Sequence, residues 1–308
     1  MPLSNFTISH EINRALSLSL PIVVLESAVV THGLPRPQNL SLARDMESSV
    51  REEGSVPATI GVLKGKVRIG MSEGDLEELA NDPKPRKISQ RDFATAAVKD
   101  ENGGTTVAGT MFAAHQAGIK VFATGGIGGV HKESSFDIST DLQALASIPM
   151  IVVCAGAKSI LDLPATLEYL ETMAVPVVGY QTDAFPAFFS RDSGLKVSVK
   201  LETPDEIIKL AQAHWNMGMR SAVLVTQPAP AGDEIPKPEM DKWIIKASQE
   251  AVDKKIHGQD LTPFLLQRIN ELSGGRSLRT NLSLLLNNAR LAAQIAKGLA
   301  IKQRVRNI

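Results

Sequence analysis

Cysteine is almost absent from the 308-residue sequence, because Cys154 is the only one, and no disulfide can form within the chain. No Cys/His cluster has the spacing of a zinc site, and both absences favour a reducing compartment. No segment reaches the ~20 apolar residues of a membrane span, and the N-terminus lacks a basic segment followed by an apolar run. We therefore expect a soluble intracellular protein, cytoplasmic by default, with a peroxisomal or other organellar location open if a targeting segment has been removed.

An excess of either charge is absent as well. The 33 Lys and Arg residues balance the 33 Asp and Glu residues, so the overall field does not attract polyanions. Nucleic acid and membranes are therefore not expected as partners, and any phosphate must be held by a local site. Because the chain has no flexible linker or internal repeat and is 43% hydrophobic, we predict a single domain over residues 1–308.

The sequence does contain a regular alternation of short apolar runs and amphipathic segments. The β-branched runs predict seven strands: Ile22–Leu25, Thr59–Leu63, Lys66–Ile69, Val121–Ala123, Met150–Val153, Val175–Val178 and Ala222–Val225. The amphipathic segments predict helices: Pro37–Glu53, Thr105–Ala117, Thr140–Ala146, Pro164–Met173, Pro204–Met217, Lys237–Lys255 and closing helices within Asp260–Gln303. A turn at Lys64–Lys66 predicts one antiparallel hairpin. The pattern predicts an α/β fold in which helices cover a central mixed, largely parallel sheet.

Ligands of such sheets collect at the carboxyl ends of the strands, where loops lead into helices. Four of these predicted ends carry residues suited to chemistry: Glu26–Ser27 with His32–Gly33, Thr124–His131, Asp137–Asp141 and Ala155–Lys158. We therefore expect these segments to form one site.

Lys158 and Glu26 are the two candidates for catalysis. Lys158 follows the apolar run 148–155, where burial favours the neutral, nucleophilic form of a lysine amine, but a surface lysine that starts a helix fits the same position. Glu26 ends the apolar run 21–25, where a carboxyl group can serve as a general acid or cap the following helix. His32 on the same loop is interpreted as a hydrogen-bonding residue and not as a base.

The loop at Gly125–Gly129 follows a predicted strand. Its glycines can bring backbone amides close to an anion, or they can serve only a tight turn. Neither the Walker A nor the Rossmann glycine spacing is present, so a nucleoside triphosphate or a dinucleotide is not expected. Asp137 and Asp141, a few residues later, offer oxygen ligands to magnesium or manganese, with helix capping as the competing explanation.

Polar residues interrupt the apolar face of the last helical segment. Asn281, Asn287, Asn288 and Arg290 can contact a base or a ribose, but they can equally cap a helix or satisfy buried carbonyl groups. Lys87, taken alone, is one cation among many.

Taken together, a series of motifs resembles one family, that of pseudouridine-5′-phosphate glycosidase, also called the indigoidine synthase A-like family. The motifs run in order along the chain: Glu26–Pro37, Lys87–Asp92, Gly104–Ala108, Ala123–His131, Phe136–Asp141, Cys154–Lys158 and Asn287–Arg290. The resemblance spans about Glu11 to Ala300. It implies a three-layer α/β/α subunit and assembly as a homotrimer.

The resemblance also implies a role for each matching residue. Lys158 corresponds to the covalent nucleophile, Glu26 to the proton donor, and Asp137 to the ligand of one Mn²⁺ ion per subunit. The implied substrate-binding residues are Lys87, Val107, Ser139, Thr140, Asp141 and Asn281. Thr140 departs from the alanine that is common in relatives, and a backbone contact at this position remains possible.

The implied activity is reversible cleavage of the carbon–carbon glycosidic bond of pseudouridine 5′-phosphate to uracil and ribose 5-phosphate, in pseudouridine catabolism. The enzyme would belong to the carbon–oxygen lyases. A carbon leaving group has no lone pair to protonate, so the expected route is ring opening, a Lys158 adduct and a Schiff base that water hydrolyses.

Two other functions stay open at this point. A nucleotide N-glycosidase would depend on carboxylates and tolerate loss of Lys158, whereas a non-catalytic nucleotide-binding protein would hold pseudouridine phosphate without releasing uracil.

Overall fold

The structure, a computed structural model, describes residues 5–132, 137–256 and 261–306, with side chains up to residue 302. Phe136, the first residue of one motif, and Asp260, the predicted start of the helical tail, lie outside the described residues.

Eleven strands are present in the described part of the chain. They are β1 (Phe6–Ile8), β2 (Ile22–Leu25), β3 (Val56–Leu63), β4 (Lys66–Ile69), β5 (Arg86–Ile88), β6 (Gly103–Thr105), β7 (Val121–Ala123), β8 (Ile151–Cys154), β9 (Val177–Tyr180), β10 (Val199–Leu201) and β11 (Val223–Thr226). They join in one sheet of order β1-β4-β3-β2-β7-β8-β11-β9-β10, and β6 adds to β3 and carries β5.

Parallel pairing dominates this sheet, as the sequence predicts. Every neighbouring pair from β3 through β2, β7, β8, β11 and β9 to β10 is parallel. Antiparallel pairs are formed by β3 with β4 and by β3 with β6. The β3–β4 pair confirms the predicted hairpin, whose turn places Lys64 and Gly65 at positive φ.

Eleven α-helices accompany the described strands: α1 (His10–Ser17), α2 (Gln38–Glu52), α3 (Glu73–Asn81), α4 (Phe93–Val98), α5 (Val107–Gln116), α6 (Thr140–Ser147), α7 (Leu163–Thr172), α8 (Pro204–Asn216), α9 (Lys237–Asp253), α10 (Leu261–Leu272) and α11 (Arg276–Arg306). The stretch Val29–Gly33 forms one π-helical turn after β2. The predicted helices are confirmed to within about two residues at most ends.

The helices cover both faces of the sheet and give the predicted three-layer arrangement. The long α11 packs on α2, α8 and the central strands β2, β7 and β8. A second group, with α5 against α6 and α6 against α7, includes α5 in contact with β2, β3 and β4. The strands β2, β8 and β11 are buried along their whole length, which is why, apart from Thr226 at the end of β11, they consist of hydrophobic residues.

Within the described residues, no helix has the length and apolar character needed to cross a bilayer.

Candidate active site

A cleft opens where the central strands end. Glu26 follows β2, the glycine loop follows β7 and Lys158 follows β8. The cleft has two connected lobes of about 560 and 1240 Å³, both open to solvent, and this is room enough for a nucleotide. The carboxyl ends of three adjacent parallel strands therefore form one site, as expected.

The two lobes differ in most of the residues that line them and share five residues, which we call the shared floor. The smaller one, the apolar lobe, is lined by Val29, Gly125, Gly126, Phe188, Leu266, Asn281 and Leu285. The larger one, the polar lobe, is lined by Ser89, Arg91, Thr106, Val107, His131, Asp137, Ser139, Thr140 and Asp141. Both are lined by Glu26, Ala28, Lys87, Lys158 and Thr262.

Glu26 is half-buried at the junction of the two lobes. Its carboxylate accepts a hydrogen bond from the Thr124 hydroxyl. Burial raises the pKa of Glu26, and Coulombic attraction to Lys158 and the bond from Thr124 only oppose this rise. A carboxyl group that keeps its proton to higher pH suits a general acid, whereas the competing role as a helix cap is not what the carboxylate does here.

Hydrogen bonds of Ser27 and close packing by Gly104 fix the loop that carries Glu26. The next residue, Ser27, donates from its hydroxyl to the Ile60 carbonyl oxygen at 2.6 Å and accepts from the Thr105 amide at 3.0 Å. Gly104 passes so close that a Cβ there would lie 2.6 Å from the Ser27 carbonyl oxygen. This close packing explains the glycine in the motif Gly104–Ala108.

Lys158 is half-buried and lies beside the glycine loop. Its backbone amide donates to the Ile127 carbonyl oxygen at 3.1 Å, and Ile127 in turn donates to Gly156 at 3.0 Å. These bonds extend the parallel pairing of β7 and β8 beyond the strand ends. The side chain lines both lobes of the cleft, and its role as a nucleophile stays a prediction.

Lys87 of β5 and His32 of the π-helical turn after β2 both line the apolar lobe. Pairing of β5 with β6 sets Lys87 opposite Gly104. Burial lowers the pKa of Lys87, and repulsion from Lys158 lowers it further. Burial also lowers the pKa of His32, whose Nδ1 lies 2.6 Å from the Thr31 hydroxyl, in keeping with a hydrogen-bonding residue.

Asp141 organises the polar lobe through its carboxylate. One oxygen accepts from the Ala108 amide at 2.9 Å, in the first turn of α5, and the other accepts from the Gly128 amide at 2.8 Å. Asp141 is only 6% exposed, so these two bonds satisfy a buried carboxylate. The capping explanation thus describes what Asp141 does, and a further contact with substrate stays a prediction.

The glycine loop serves close packing. A Cβ on Gly128 would lie 2.2 Å from the Ser139 hydroxyl, and one on Gly129 would lie 2.3 Å from the Thr166 hydroxyl. The amides of Ile127 and Gly128 in the loop, and that of Val130 just after it, donate to protein acceptors. Close packing therefore accounts for Gly128 and Gly129, no residue of the loop has positive φ, and the tight turn and anion binding both stay predictions.

The remaining predicted substrate residues of the polar lobe lie at two helix starts. Val107, which is buried, begins α5, and the Ser139 hydroxyl caps α6 by accepting from the Asp141 amide at 3.2 Å. The exposed Thr140 has its hydroxyl 2.8 Å from that of Ser89, which ties the α6 start to the loop after β5. Both hydroxyls border the lobe.

Asp137 also faces the polar lobe and is largely exposed. Its Oδ2 lies 4.0 Å from His131 Nδ1, and its side chain is 48% exposed. Among the described residues, no three His, Cys, Asp or Glu side chains gather as a metal cage would require. Binding of a metal ion by Asp137 stays a prediction.

Helix α11 presents one polar face to the site and another to solvent. Asn281 and Leu285 line the apolar lobe, and Asn288, two turns after Asn281, donates to the Thr124 carbonyl oxygen at 2.8 Å. Asn288 is fully buried, so of the two roles left open by the sequence it satisfies a buried carbonyl group. Arg290 is exposed, and Asn287 does not line either lobe.

Two wall-forming features were not identified from the sequence: Phe188 lines the apolar lobe, and α10 adds Thr262, Pro263 and Leu266. Thr124 was identified only as the start of the segment Thr124–His131, without its bond to Glu26. A signal for Phe188 does exist, since three of the nine phenylalanines fall within Phe185–Phe189 of a chain that is only 4% aromatic.

Comparison with known proteins accounts for this arrangement. The sequence model of the family described as "Indigoidine synthase A like protein" matches residues 11–298. The chain belongs to this family. A similar protein from Solibacter usitatus (strain Ellin6076), named pseudouridine-5′-phosphate glycosidase, is 52% identical over 291 residues, which cover 94% of this chain and 97% of that protein. One from Petrotoga mobilis (strain DSM 10674 / SJ95) with the same name is 48% identical over 292 residues, covering 94% and 95%.

Solved structures of the indigoidine synthase A-like fold confirm the predicted architecture. An indigoidine synthase A-like protein from Thermotoga maritima MSB8 superposes with a TM-score of 0.88 at 37% identity, covering 96% of both chains. The prealnumycin C-glycosynthase AlnA, solved with ribulose 5-phosphate, gives a TM-score of 0.91 at 37% identity and covers 99% of this chain and 100% of its own.

Proposed function

We propose that this member of the family is a pseudouridine-5′-phosphate glycosidase that cleaves the bond between C5 of uracil and C1′ of ribose 5-phosphate. The observation that carries the proposal is the junction of the cleft, where a half-buried acid with a raised pKa, Glu26, lies beside Lys158. The names of the similar curated proteins support the same substrate.

The two lobes suit the two halves of this substrate. Hydroxyl groups of Ser89, Thr106 and Ser139 and the cations Lys87 and Arg91 line the polar lobe and can satisfy ribose hydroxyls and a phosphate. The apolar lobe offers flat, mostly hydrophobic walls and the Asn281 amide, which match a planar base with polar edges. The bond to be broken then lies at the junction, beside Glu26 and Lys158.

The first step opens the ribose ring. Glu26 gives its proton to the ring oxygen, the bond between C1′ and that oxygen breaks, and electrons from the uracil ring form a double bond between C5 and C1′. The raised pKa of Glu26 keeps the proton available for this transfer. The product is a conjugated carbon at C1′ that a nucleophile can attack.

The second step passes the sugar to the protein. The neutral Lys158 amine adds to C1′ and returns the electrons to the uracil ring. Protonation of C5 then breaks the bond between C5 and C1′, and the nitrogen lone pair forms the Schiff base of ribose 5-phosphate. Water adds to this Schiff base, releases ribose 5-phosphate and restores the lysine. The overall reaction consumes one water molecule and is reversible. In the direction of cleavage it serves pseudouridine catabolism.

We also propose that one Mn²⁺ ion binds each subunit through Asp137. The exposed carboxylate faces the polar lobe, and an ion with one protein carboxylate, several waters and a substrate oxygen is a known arrangement for such hard cations. When bound, the ion would neutralise phosphate charge and orient water. Electron paramagnetic resonance of Mn²⁺ titrated into the protein with ribose 5-phosphate should show bound ion for the wild type and much less for Asp137→Asn.

We also propose that the protein is intracellular and that it assembles as the homotrimer implied by the family resemblance. Sedimentation equilibrium of the full chain tests the assembly, since a trimer has three times the 33.0 kDa mass of the single chain. A monomer or dimer at every concentration would contradict it.

The proposed activity is tested by incubating the protein with pseudouridine 5′-phosphate in D₂O and analysing the products by liquid chromatography and mass spectrometry. We expect uracil that carries one deuterium at C5, because that carbon receives its proton as the bond breaks. Lys158→Ala should release none. Lys120→Ala is the matched control, since Lys120 is also a half-buried lysine but precedes β7, at the opposite end of the sheet from the cleft.

Each alternative function predicts a different outcome of this experiment. An N-glycosidase would cleave uridine 5′-phosphate, leave pseudouridine 5′-phosphate intact and tolerate Lys158→Ala. A binding protein would retain pseudouridine 5′-phosphate in calorimetry and release no uracil after prolonged incubation.

A further inference from the structure

Phe188 has an unusual backbone conformation for a wall residue. Its φ is +59°, a region that bulky L-residues rarely adopt, and no other non-glycine residue with positive φ lines either lobe within the described parts of the chain. Such local strain persists only where the surroundings impose it, and it concentrates at functional sites.

The segment before Phe188 is fixed against the strand end that leads to Lys158. The Phe188 amide donates to the Ala155 carbonyl oxygen at 3.0 Å. Gly156 allows this approach, because a Cβ there would lie 2.1 Å from the Pro186 carbonyl oxygen. The position of the Phe188 ring is therefore coupled to the same backbone that positions the lysine.

The ring itself lies directly on the glycine loop. A Cβ on Gly126 would lie 2.5 Å from Cδ2 and 2.7 Å from Cε2 of Phe188. On another side the ring of Phe189 meets it edge-on, with centroids 4.7 Å apart and planes at 90°. Contacts on these sides hold the ring in one orientation, and Phe188 is only 3% exposed.

We propose that Phe188, held by the Gly125–Gly126 backbone, is the wall against which the base packs, and that it is a specificity-determining residue for the leaving group. This proposal rests on the function proposed above. The ribose and phosphate need hydrogen bonds and go to the polar lobe, which leaves the lobe with Phe188 and Leu285 for the planar base. Phe188 touches only the base half of the substrate.

The test measures both KM values in the synthetic direction, with uracil and ribose 5-phosphate as substrates. For Phe188→Leu we expect the KM for uracil to rise roughly 5- to 100-fold, as loss of an aromatic contact with a base does, and the KM for ribose 5-phosphate to change less than about twofold. Phe185→Leu is the matched control, because Phe185 is also buried but lines neither lobe; it should leave both constants within about twofold.

A second variant keeps the proposal testable if Phe188→Leu folds poorly. Phe188→Met keeps most of the buried apolar volume and removes only the aromatic face, so it should fold and show the same selective loss of uracil affinity. Unchanged uracil KM in these variants, or an equal rise of both KM values, would overturn the assignment of Phe188 while leaving the proposed function intact. A wild-type protein that forms no pseudouridine 5′-phosphate from the two substrates would instead overturn the proposed function, and the base assignment with it.

Discussion

The two lobes of the cleft are built in opposite ways. The polar lobe is formed by side chains at loop and helix starts that are locked by hydrogen bonds, such as Asp141 between Ala108 and Gly128. The apolar lobe is formed by packing alone, with Phe188 and Leu285 brought against a glycine loop from distant parts of the chain. The difference indicates recognition of a sugar phosphate by bonded groups and of a base by shape.

In the proposed reaction, the residues shared by both lobes carry the chemistry. Glu26 and Lys158 line each lobe, so they lie where a bond joining the two halves of a substrate would lie. Substitutions in the shared floor should therefore affect turnover, and substitutions in one lobe should affect the binding of one half of the substrate.

The largest effect is expected for Glu26→Gln. It removes the general acid from the shared floor, and kcat should fall roughly 10²- to 10⁴-fold. The matched control is Glu47→Gln, because Glu47 in α2 is also a largely buried carboxyl group whose pKa burial raises, and it accepts from the Thr59 hydroxyl at 2.6 Å outside the cleft. Steady-state kinetics should show a kcat within about twofold of wild type for the control, and equal losses in both variants would contradict the account.

The pH dependence of activity and of stability in Glu26→Gln and Glu47→Gln separates the catalytic effect of Glu26 from its effect on folding. Activity of the wild type should fall as pH rises through the raised pKa of Glu26, and Glu26→Gln should lack this limb. Because the pKa of Glu26 in the folded state lies above its ordinary value, the stability linked to Glu26 is present at pH below that ordinary value and is lost as pH rises through the folded-state pKa. Thermal unfolding should show a weaker loss of stability with rising pH in both Glu26→Gln and Glu47→Gln.

Asp141→Asn should affect the polar lobe next most strongly. The Asp141 carboxylate accepts hydrogen bonds from two backbone amides, and in the variant one of these N–H donors would face the NH₂ group, which is also a donor. We therefore expect a loss of about 1–3 kcal/mol in the free energy of unfolding. The KM for ribose 5-phosphate should rise more than that for uracil. Denaturant unfolding and kinetics check this, with the exposed Asp45→Asn as a control within about 0.5 kcal/mol of wild type. A larger rise for uracil would reverse the assignment of the lobes.

Thr124→Val should have a smaller and more specific effect. The substitution keeps the shape but removes the hydroxyl that donates to Glu26, so the pKa of Glu26 should rise further. The falling limb of the pH–rate profile should move to higher pH. Thr226→Val, which removes a buried hydroxyl at the end of β11 that donates to Val178 at 3.0 Å, should leave the limb in place. Movement toward lower pH in Thr124→Val would be inconsistent with Glu26 as the acid.

The smallest effect is expected for Arg290→Ala. Arg290 is exposed on α11 and lines neither lobe, so kcat and both KM values should stay within about twofold of wild type. A tenfold change in any of them would mean that the cleft extends beyond the described walls.

The sequence predicted most of the fold because its central strands are apolar runs between turn residues. The seven predicted strands all exist, three with the predicted bounds and four with shifts of one to three residues at their ends. The strands that it did not predict, β1, β5, β6 and β10, have three residues each, and all but β1 carry charges or glycines. Pairing with distant segments, and not local preference, makes them strands.

The residues of the candidate site were likewise predictable from the sequence only in part. Glu26 and Lys158 were found because each follows an apolar run, and residues at strand ends converge in a parallel sheet. Phe188 was not found, because nothing local shows that a phenylalanine 30 residues after Lys158 returns to the glycine loop. Asn288 was ambiguous in sequence, since only the contact with Thr124 tells a buried bond from a ligand contact.

The central claim is that Lys158 carries the sugar, and borohydride trapping tests it most directly. The protein is incubated with ribose 5-phosphate, reduced, and analysed by intact mass and peptide mapping beside Lys158→Ala and Lys120→Ala. The account predicts one reduced sugar-phosphate adduct on Lys158, retained in Lys120→Ala and lost in Lys158→Ala. An active wild type without an adduct, or an adduct that persists in Lys158→Ala, would contradict it.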